Sequence, residues 1–325
     1  MRIGYKLATE PFGPKEIIRQ AVAAEAAGFD FVELSDHFHP WLDSQGHSAF
    51  TWSLLGAIAQ ATDRIGLATG VTCPTIRYHP AVIAQAAATV ALLSDGRFML
   101  GLGSGERLNE HVVGQGYPAV TRRHAMLREA IEIIRLLWSG GYQSYEGRYL
   151  RLEDARVFDL PPVPPRIAVA ASGEPSARLA AECGDALFAT EPKAAIVDHY
   201  RAAGGDGPRY AEIPLAYAPD ETTAARAALE TTRWALTGWK VMSELPNPVN
   251  FAAATTTITE HDVAERFACG PDPARHLAVA DQFLDAGFDT LVLLNAGPDP
   301  DDFLDFFHSE LAGPLRSRAG AASLA

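Results

Sequence analysis

The sequence predicts an α/β protein built as a (β/α)8 barrel, and three observations carry that prediction. Short apolar strands alternate with amphipathic helices along the whole chain, the pattern of a parallel sheet with helical crossovers. The strand-and-helix unit repeats eight times with no break in composition, which favours a closed barrel over a doubly wound sheet. The length of 325 residues suits a barrel of about 250 residues carrying insertions.

Strands are expected at about 2–7, 31–36, 65–71, 98–104, 166–171, 186–190, 211–218 and 290–296. Each precedes a stretch with apolar residues at three- and four-residue spacing, as in Ile17, Ile18, Ala21, Val22 and Ala24 after the first strand. Two segments interrupt the alternation, and both are expected as insertions at the barrel mouth. Residues 139–165 read as a hairpin followed by the stiff run Pro161-Pro162-Val163-Pro164-Pro165, and 239–258 hold Lys240 and the turn Pro246-Asn247-Pro248. A single barrel over 1–317 with a frayed tail at 318–325 is the expected organisation. The echo between Ala26-Ala27-Gly28-Phe29-Asp30 and Asp285-Ala286-Gly287-Phe288-Asp289 marks helices that end on glycine before an acidic turn into a strand.

Composition narrows the function classes. Forty acidic against 27 basic side chains give a formal charge of −13, which repels phosphate backbones and anionic lipid. Nucleic acid and membrane are therefore not expected as partners, and no apolar run reaches 18 residues. Cys73, Cys183 and Cys269 lie far apart, with neither zinc spacing nor a disulfide framework, and a reducing cytoplasm is the expected location. No export signal is read at the start of the chain.

In a parallel barrel the chemistry sits at the C-terminal ends of the strands, so polar residues after each apolar run are the candidates. After the second strand come Asp36, His37, His39 and Trp41. Histidine titrates near neutrality and can take a proton from an alcohol, and a neighbouring carboxylate such as Asp36 can hold its ring. His37 and His39 also form an HxH pair, the basis of a rival metal-dependent hydrolase reading. After the fourth strand, Gly101 to Gly105 let backbone approach a phosphate, and Ser172-Gly173 after the next strand offer a second small-residue loop. The spacing is not GxGxxG, which disfavours a dinucleotide site. Glu106 ends the first loop as a candidate proton donor, or as a first-turn glutamate on the helix dipole.

Together these pieces resemble the luciferase-like barrel oxidoreductases that use the deazaflavin coenzyme F420, in the branch of F420-dependent glucose-6-phosphate dehydrogenase. The resemblance spans nearly the whole chain. It rests on Ile3-Gly4-Tyr5-Lys6, Ser35-Asp36-His37-Phe38 with Pro40-Trp41, Gly46 to Phe50, Pro74-Thr75 and Pro80 to Ala86. It continues through Gly101 to Glu110, Leu136 to Gly140 and Gly184-Asp185. The resemblance implies hydride transfer at C5 of F420, with His37 as base, Trp41 stabilising developing charge and Glu106 as proton partner near N1 of the ring. It implies coenzyme contacts from Asp36, Gly70, Val71, Cys73, Ser104, Gly105, Asn109, Ala171, Ser172 and Gly173, with a non-proline cis peptide at Gly70-Val71. Cys73 stands where the relatives have threonine, and Ala171-Ser172-Gly173 replaces a loop with two glycines. Lys193, Lys240 and Arg266 fall at or beside the cations that hold the substrate phosphate, so a sugar phosphate such as glucose 6-phosphate is the expected substrate. The same resemblance implies a homodimer; no metal is expected, because the HxH pair follows the second strand instead of the first and His199, His261 and His276 fall on predicted helices. Alternatives are an F420H2-dependent reductase of a secondary metabolite and, at greater distance, an FMN-dependent monooxygenase.

Overall fold

The structure is a computed structural model that describes residues 1–322. Strands β1 (Arg2–Leu7), β2 (Phe31–Leu34), β3 (Gly66–Thr69) and β4 (Phe98–Leu102) follow one another with helical crossovers. A hairpin, β5 (Gln143–Glu146) and β6 (Arg151–Ala155), precedes β7 (Ile167–Ala170), β8 (Ala186–Ala189), β9 (Arg209–Ala216), β10 (Ala268–Cys269) and β11 (Thr290–Asn295). The parallel order β1-β2-β3-β4-β7-β8-β9-β11 returns to β1 and closes the barrel. All the expected barrel strands are present, with the ninth strand starting at Arg209, two positions before its expected start at 211. The sequence pattern missed β10, whose two residues pair only with the end of β9 and are too few to show a period.

Alternation along the strands divides two cores. Ile3, Tyr5, Leu7, Val32, Leu34 and Leu67 face the helices in a cluster that extends to Leu315. Phe31, Ala68, Ala168, Ala186, Phe188, Tyr210 and Val292 fill the barrel interior. Gly4 is required there, because a Cβ would lie 2.4 Å from the Phe31 ring. Two residues further along β1, β2 and β9, the inward positions are Lys6, Glu33 and Glu212.

The glycine-acid turns close the lower rim. Gly28 and Gly287 adopt φ of 91° and 96°. The acids that follow cap neighbouring strands: Asp30 accepts from Ile3 N at 2.7 Å and Asp289 from Arg209 N at 3.0 Å. Asp185, after Gly184, accepts from Ile167 N at 2.8 Å.

One insertion lies elsewhere than expected. The 139–165 segment joins the helix Val120–Trp138 to β7, a helix-to-strand connection that belongs to the lower rim, not the mouth. Its hairpin packs along that helix, with Glu129 accepting from the backbone N–H groups of Arg148, Tyr149 and Leu150. The 239–258 segment does lie at the mouth: Ser243 O accepts from Arg107 N, and Met242 and Phe251 pack with Trp41, Leu42 and Leu108. Residues 318–322 belong to the helix Ala312–Ala322, and the rest of the tail expected from 318 onward, 323–325, lies outside the described residues.

Candidate active site

Three strand ends bring together the acid-base groups. Glu10 follows β1, His37 and Trp41 follow β2, and Glu106 follows β4. His37 Nδ1 lies 2.6 Å from Glu10 Oε1, and His37 Nε2 lies 4.0 Å from Glu106 Oε1. The side chains of His37, Glu10 and Glu106 are 10%, 6% and 9% exposed, so the carboxylates act with little screening. Burial alone pushes the imidazole pKa down, but the Glu10 hydrogen bond and charge, joined by the Glu106 charge, raise it above its ordinary 6.5. Burial pushes Glu10 up, yet His37 and Lys6 bring it below its ordinary value. In the neutral ring Nδ1–H donates to Glu10, which leaves Nε2 as the basic atom, facing Glu106.

The Trp41 ring meets the His37 ring edge-on at 4.9 Å, stacks on Trp234 at 4.3 Å and touches Phe251 edge-on at 5.1 Å. This aromatic wall closes one side of the imidazole and keeps water from it.

Asp36 and Asn109, both expected at the coenzyme, are buried and bonded within the protein. Asn109 is fully buried; its Oδ1 accepts from Phe38 N at 2.7 Å and His39 N at 2.9 Å, and its Nδ2 donates to Glu106 Oε1 at 2.5 Å. It therefore ties the His37 loop to Glu106. Asp36 does not hold the His37 ring, which is Glu10's role. Its buried carboxylate accepts from Trp52 Nε1, Thr72 Oγ1, Tyr78 OH and the Arg77 guanidinium. His39 turns to the Leu108 carbonyl at 3.1 Å, away from any ligand shared with His37. Among the described residues no group of three or more His, Cys, Asp and Glu side chains is spaced to hold a metal ion.

The remaining coenzyme candidates line neighbouring strand ends. The Gly70–Val71 peptide is cis. Beyond it the chain runs beside β4, with Thr72 N donating to Gly101 O at 2.9 Å and Gly103 N to Thr72 O at 3.0 Å. A Cβ on Gly103 would lie 2.6 Å from Val71 Cγ2 and 3.6 Å from Cys73 Sγ, so glycine lets Val71 and Cys73 pack against the end of β4 as one shelf. Cys73 is buried, which pushes its thiol pKa well above the usual range. Leu102 pairs with Val169, and continuing that register sets Ser104 beside Ala171. Gly173 precedes the helix Glu174–Cys183, and a Cβ there would meet nothing within 4 Å. An apolar shelf, a pair of small-residue loops and open space before a helix fit a flat ring with an anionic tail such as F420.

The three expected substrate cations stand on separate elements. Lys193 precedes the helix Ala194–Ala202 and pairs with Glu191 at 2.8 Å. Lys240 lies on Trp239–Met242 and Arg266 ends the helix Glu260–Arg266. All three are exposed, and among the described residues none hydrogen-bonds to the His37 cluster.

Barrel, strand-end base and glycine shelf define an oxidoreductase-type barrel with its chemistry at the C-terminal face. The family model of luciferase-like monooxygenases matches residues 1–293, and the chain belongs to that family. Among its relatives, the F420-dependent hydroxymycolic acid dehydrogenase of Mycobacterium tuberculosis is 40% identical, over 97% of this chain and 88% of that one. The F420-dependent glucose-6-phosphate dehydrogenase of Tsukamurella paurometabola is 37% identical over 98% of both chains. The solved structure of an F420-dependent secondary alcohol dehydrogenase, in complex with an F420-acetone adduct, superposes with a TM-score of 0.89. It is 28% identical and covers 96% of this chain and 98% of that one.

Proposed function

We propose that the protein is an F420-dependent dehydrogenase that oxidises a hydroxyl-bearing carbon of a small molecule. The observation that carries this reading is the Glu10–His37 pair, which leaves a basic Nε2 beside Glu106 and against Trp41. F420, when bound, supplies a carbon that accepts hydride. The chain supplies the rest. His37 Nε2 takes the hydroxyl proton, Glu10 stabilises the imidazolium that results, and Asn109 fixes Glu106 at its position as proton partner. Gly70, Val71, Cys73, Ser104, Gly105, Ala171, Ser172 and Gly173 hold the coenzyme, and Asp36 and Asn109 brace the loops that carry those contacts.

A sugar phosphate such as glucose 6-phosphate is the first substrate of this reading, with Lys193, Lys240 and Arg266 gathering on its phosphate. Support comes from the glucose-6-phosphate dehydrogenases among the relatives. A second reading, an apolar secondary alcohol, is favoured by the exposed Phe38, Trp239 and Val241 at the mouth and by the relatives named for hydroxymycolic acid and secondary alcohols. We further infer one barrel over 1–317, a homodimer and a cytoplasmic setting. The dimer is supported by the exposed Val82, Leu92 and Leu93 on the helix Pro80–Leu93, and the setting by three free cysteines.

The test is a titration with oxidised F420, with FMN in parallel, then addition of glucose 6-phosphate or a long-chain secondary alcohol while the deazaflavin absorbance is followed. Bleaching with glucose 6-phosphate that is lost when Lys193, Lys240 and Arg266 are changed to Ala supports the sugar-phosphate reading. Bleaching with the alcohol alone replaces it with the second. Absence of F420 binding refutes both.

A further inference from the structure

The barrel interior holds three ionisable groups that the reaction above does not use: Lys6, Glu33, whose pKa burial pushes up, and Glu212. Lys6 Nζ lies 3.0 Å from Glu33 Oε1, 2.8 Å from Glu212 Oε2 and 2.7 Å from the Gly70 carbonyl oxygen. Lys6 and Glu33 are buried, and Glu33 Oε2 has no hydrogen-bond partner. Apolar residues would fill this layer at lower cost, since buried ion groups rarely add net stability over a hydrophobic replacement. The arrangement therefore points to a role in the site above it.

Gly70 sits directly on this trio. A Cβ there would lie 2.1 Å from Glu33 Cδ, so only glycine fits, with its carbonyl bonded to the ammonium. The next residues, Val71 to Cys73, form the shelf against β4. We propose that Lys6 is a positioning residue of this site, its ammonium anchoring the Gly70 carbonyl and thereby setting the height of the Val71–Cys73 shelf beneath the bound coenzyme. This rests on the reading that the site takes F420. The same cation acts on the acid-base pair, helping to lower Glu10 and offsetting a small part of the rise that the carboxylates cause at His37. His37 is faced by Glu10, Glu106 and Lys6, and Lys6 by Glu33, Glu212 and the more distant Glu10.

F420 binding is measured for the wild type, for Lys6→Arg, for Lys6→Gln and for the triple variant Lys6→Met/Glu33→Gln/Glu212→Gln, which leaves no unpaired charge in the core. Thermal unfolding establishes that each is folded. Lys6→Arg is expected to bind within about threefold of the wild type, and the triple variant about tenfold or more weaker, the worth of one hydrogen bond from a charged donor. Lys6→Gln, which removes the ammonium from the Gly70 carbonyl, is expected to weaken F420 binding at least as much as the triple variant. A folded triple variant that binds F420 within twofold of the wild type overturns the proposal. A wild type that binds no F420 refutes the coenzyme reading instead.

Discussion

Replacing Glu10 by Gln is the sharpest perturbation of the acid-base pair, because it removes one charge and almost no volume. In the wild type the 2.6 Å contact with Glu10 raises His37 above 6.5, which moves the range in which the imidazole is neutral and able to act as base to higher pH. Without that charge, burial is the largest remaining influence and pulls the pKa down. The acid limb of kcat/KM should therefore move to lower pH in Glu10→Gln. The plateau should fall as well, since the imidazolium formed in the reaction loses its counter-charge. A charge-assisted hydrogen bond contributes ~1.5–3 kcal/mol, which corresponds to a loss of about ten- to a hundredfold in rate. The same pair makes a stability prediction with opposite limbs. His37, raised on folding, contributes below its unfolded value near 6.5 and loses that contribution as pH rises through its folded pKa. Glu10, lowered on folding, contributes above its unfolded value near 4.5 and loses it as pH falls through its folded pKa. The stability gap between wild type and Glu10→Gln should thus be widest between about pH 4.5 and 6.5 and narrow in alkali. Denaturant unfolding at pH 5.5 and 8.5, beside a pH–rate profile, measures both effects. An acid limb that stays in place, or a gap that widens with pH, would refute the role given to Glu10.

Three other substitutions test the supports of the site. Asn109→Ala leaves the N–H groups of Phe38 and His39 and one Glu106 oxygen without their partner, and should cost ~2–3 kcal/mol in denaturant unfolding together with a large fall in kcat. Gly101→Ala should destabilise severely, because its Cβ would lie 1.9 Å from the Thr69 carbonyl oxygen. Gly173→Ala, extended at φ −176° with open space before it, should keep the wild-type Tm within ~1–2 °C, a change below ~0.5 kcal/mol, while weakening F420 binding. Cys73, buried and with its thiol pKa raised, should resist alkylation at pH 8 in the native protein and react once it is unfolded; rapid native labelling, read by mass spectrometry, would contradict that burial.

Much of this protein is written locally. The eight barrel strands were legible because each is a short apolar run whose alternation with amphipathic helices needs no distant information, and the strand-end rule then picked out His37, Trp41, Glu106 and the glycine loop. The same rule could have found Glu10, a carboxylate in the loop after the first strand. Its pairing with His37 is hidden in the sequence because the two lie 27 residues apart, while Asp36 is the adjacent carboxylate. Lys6, Glu33 and Glu212 also left a trace, as charges set inside apolar strands.

What the sequence determined by itself was the barrel class, the order of its strands and the residue types at their ends, since these depend on periodicity and on turn chemistry within a few residues. The tertiary structure decided the partners. In the loop after β2 neighbouring residues find different partners, so Asp36 turns to Arg77 and Tyr78 while His37 turns to Glu10, 27 residues away. Barrel closure alone brings Lys6, Glu33 and Glu212 to one point beneath Gly70, because their meeting depends on the register of strands distant in sequence, which no local pattern encodes.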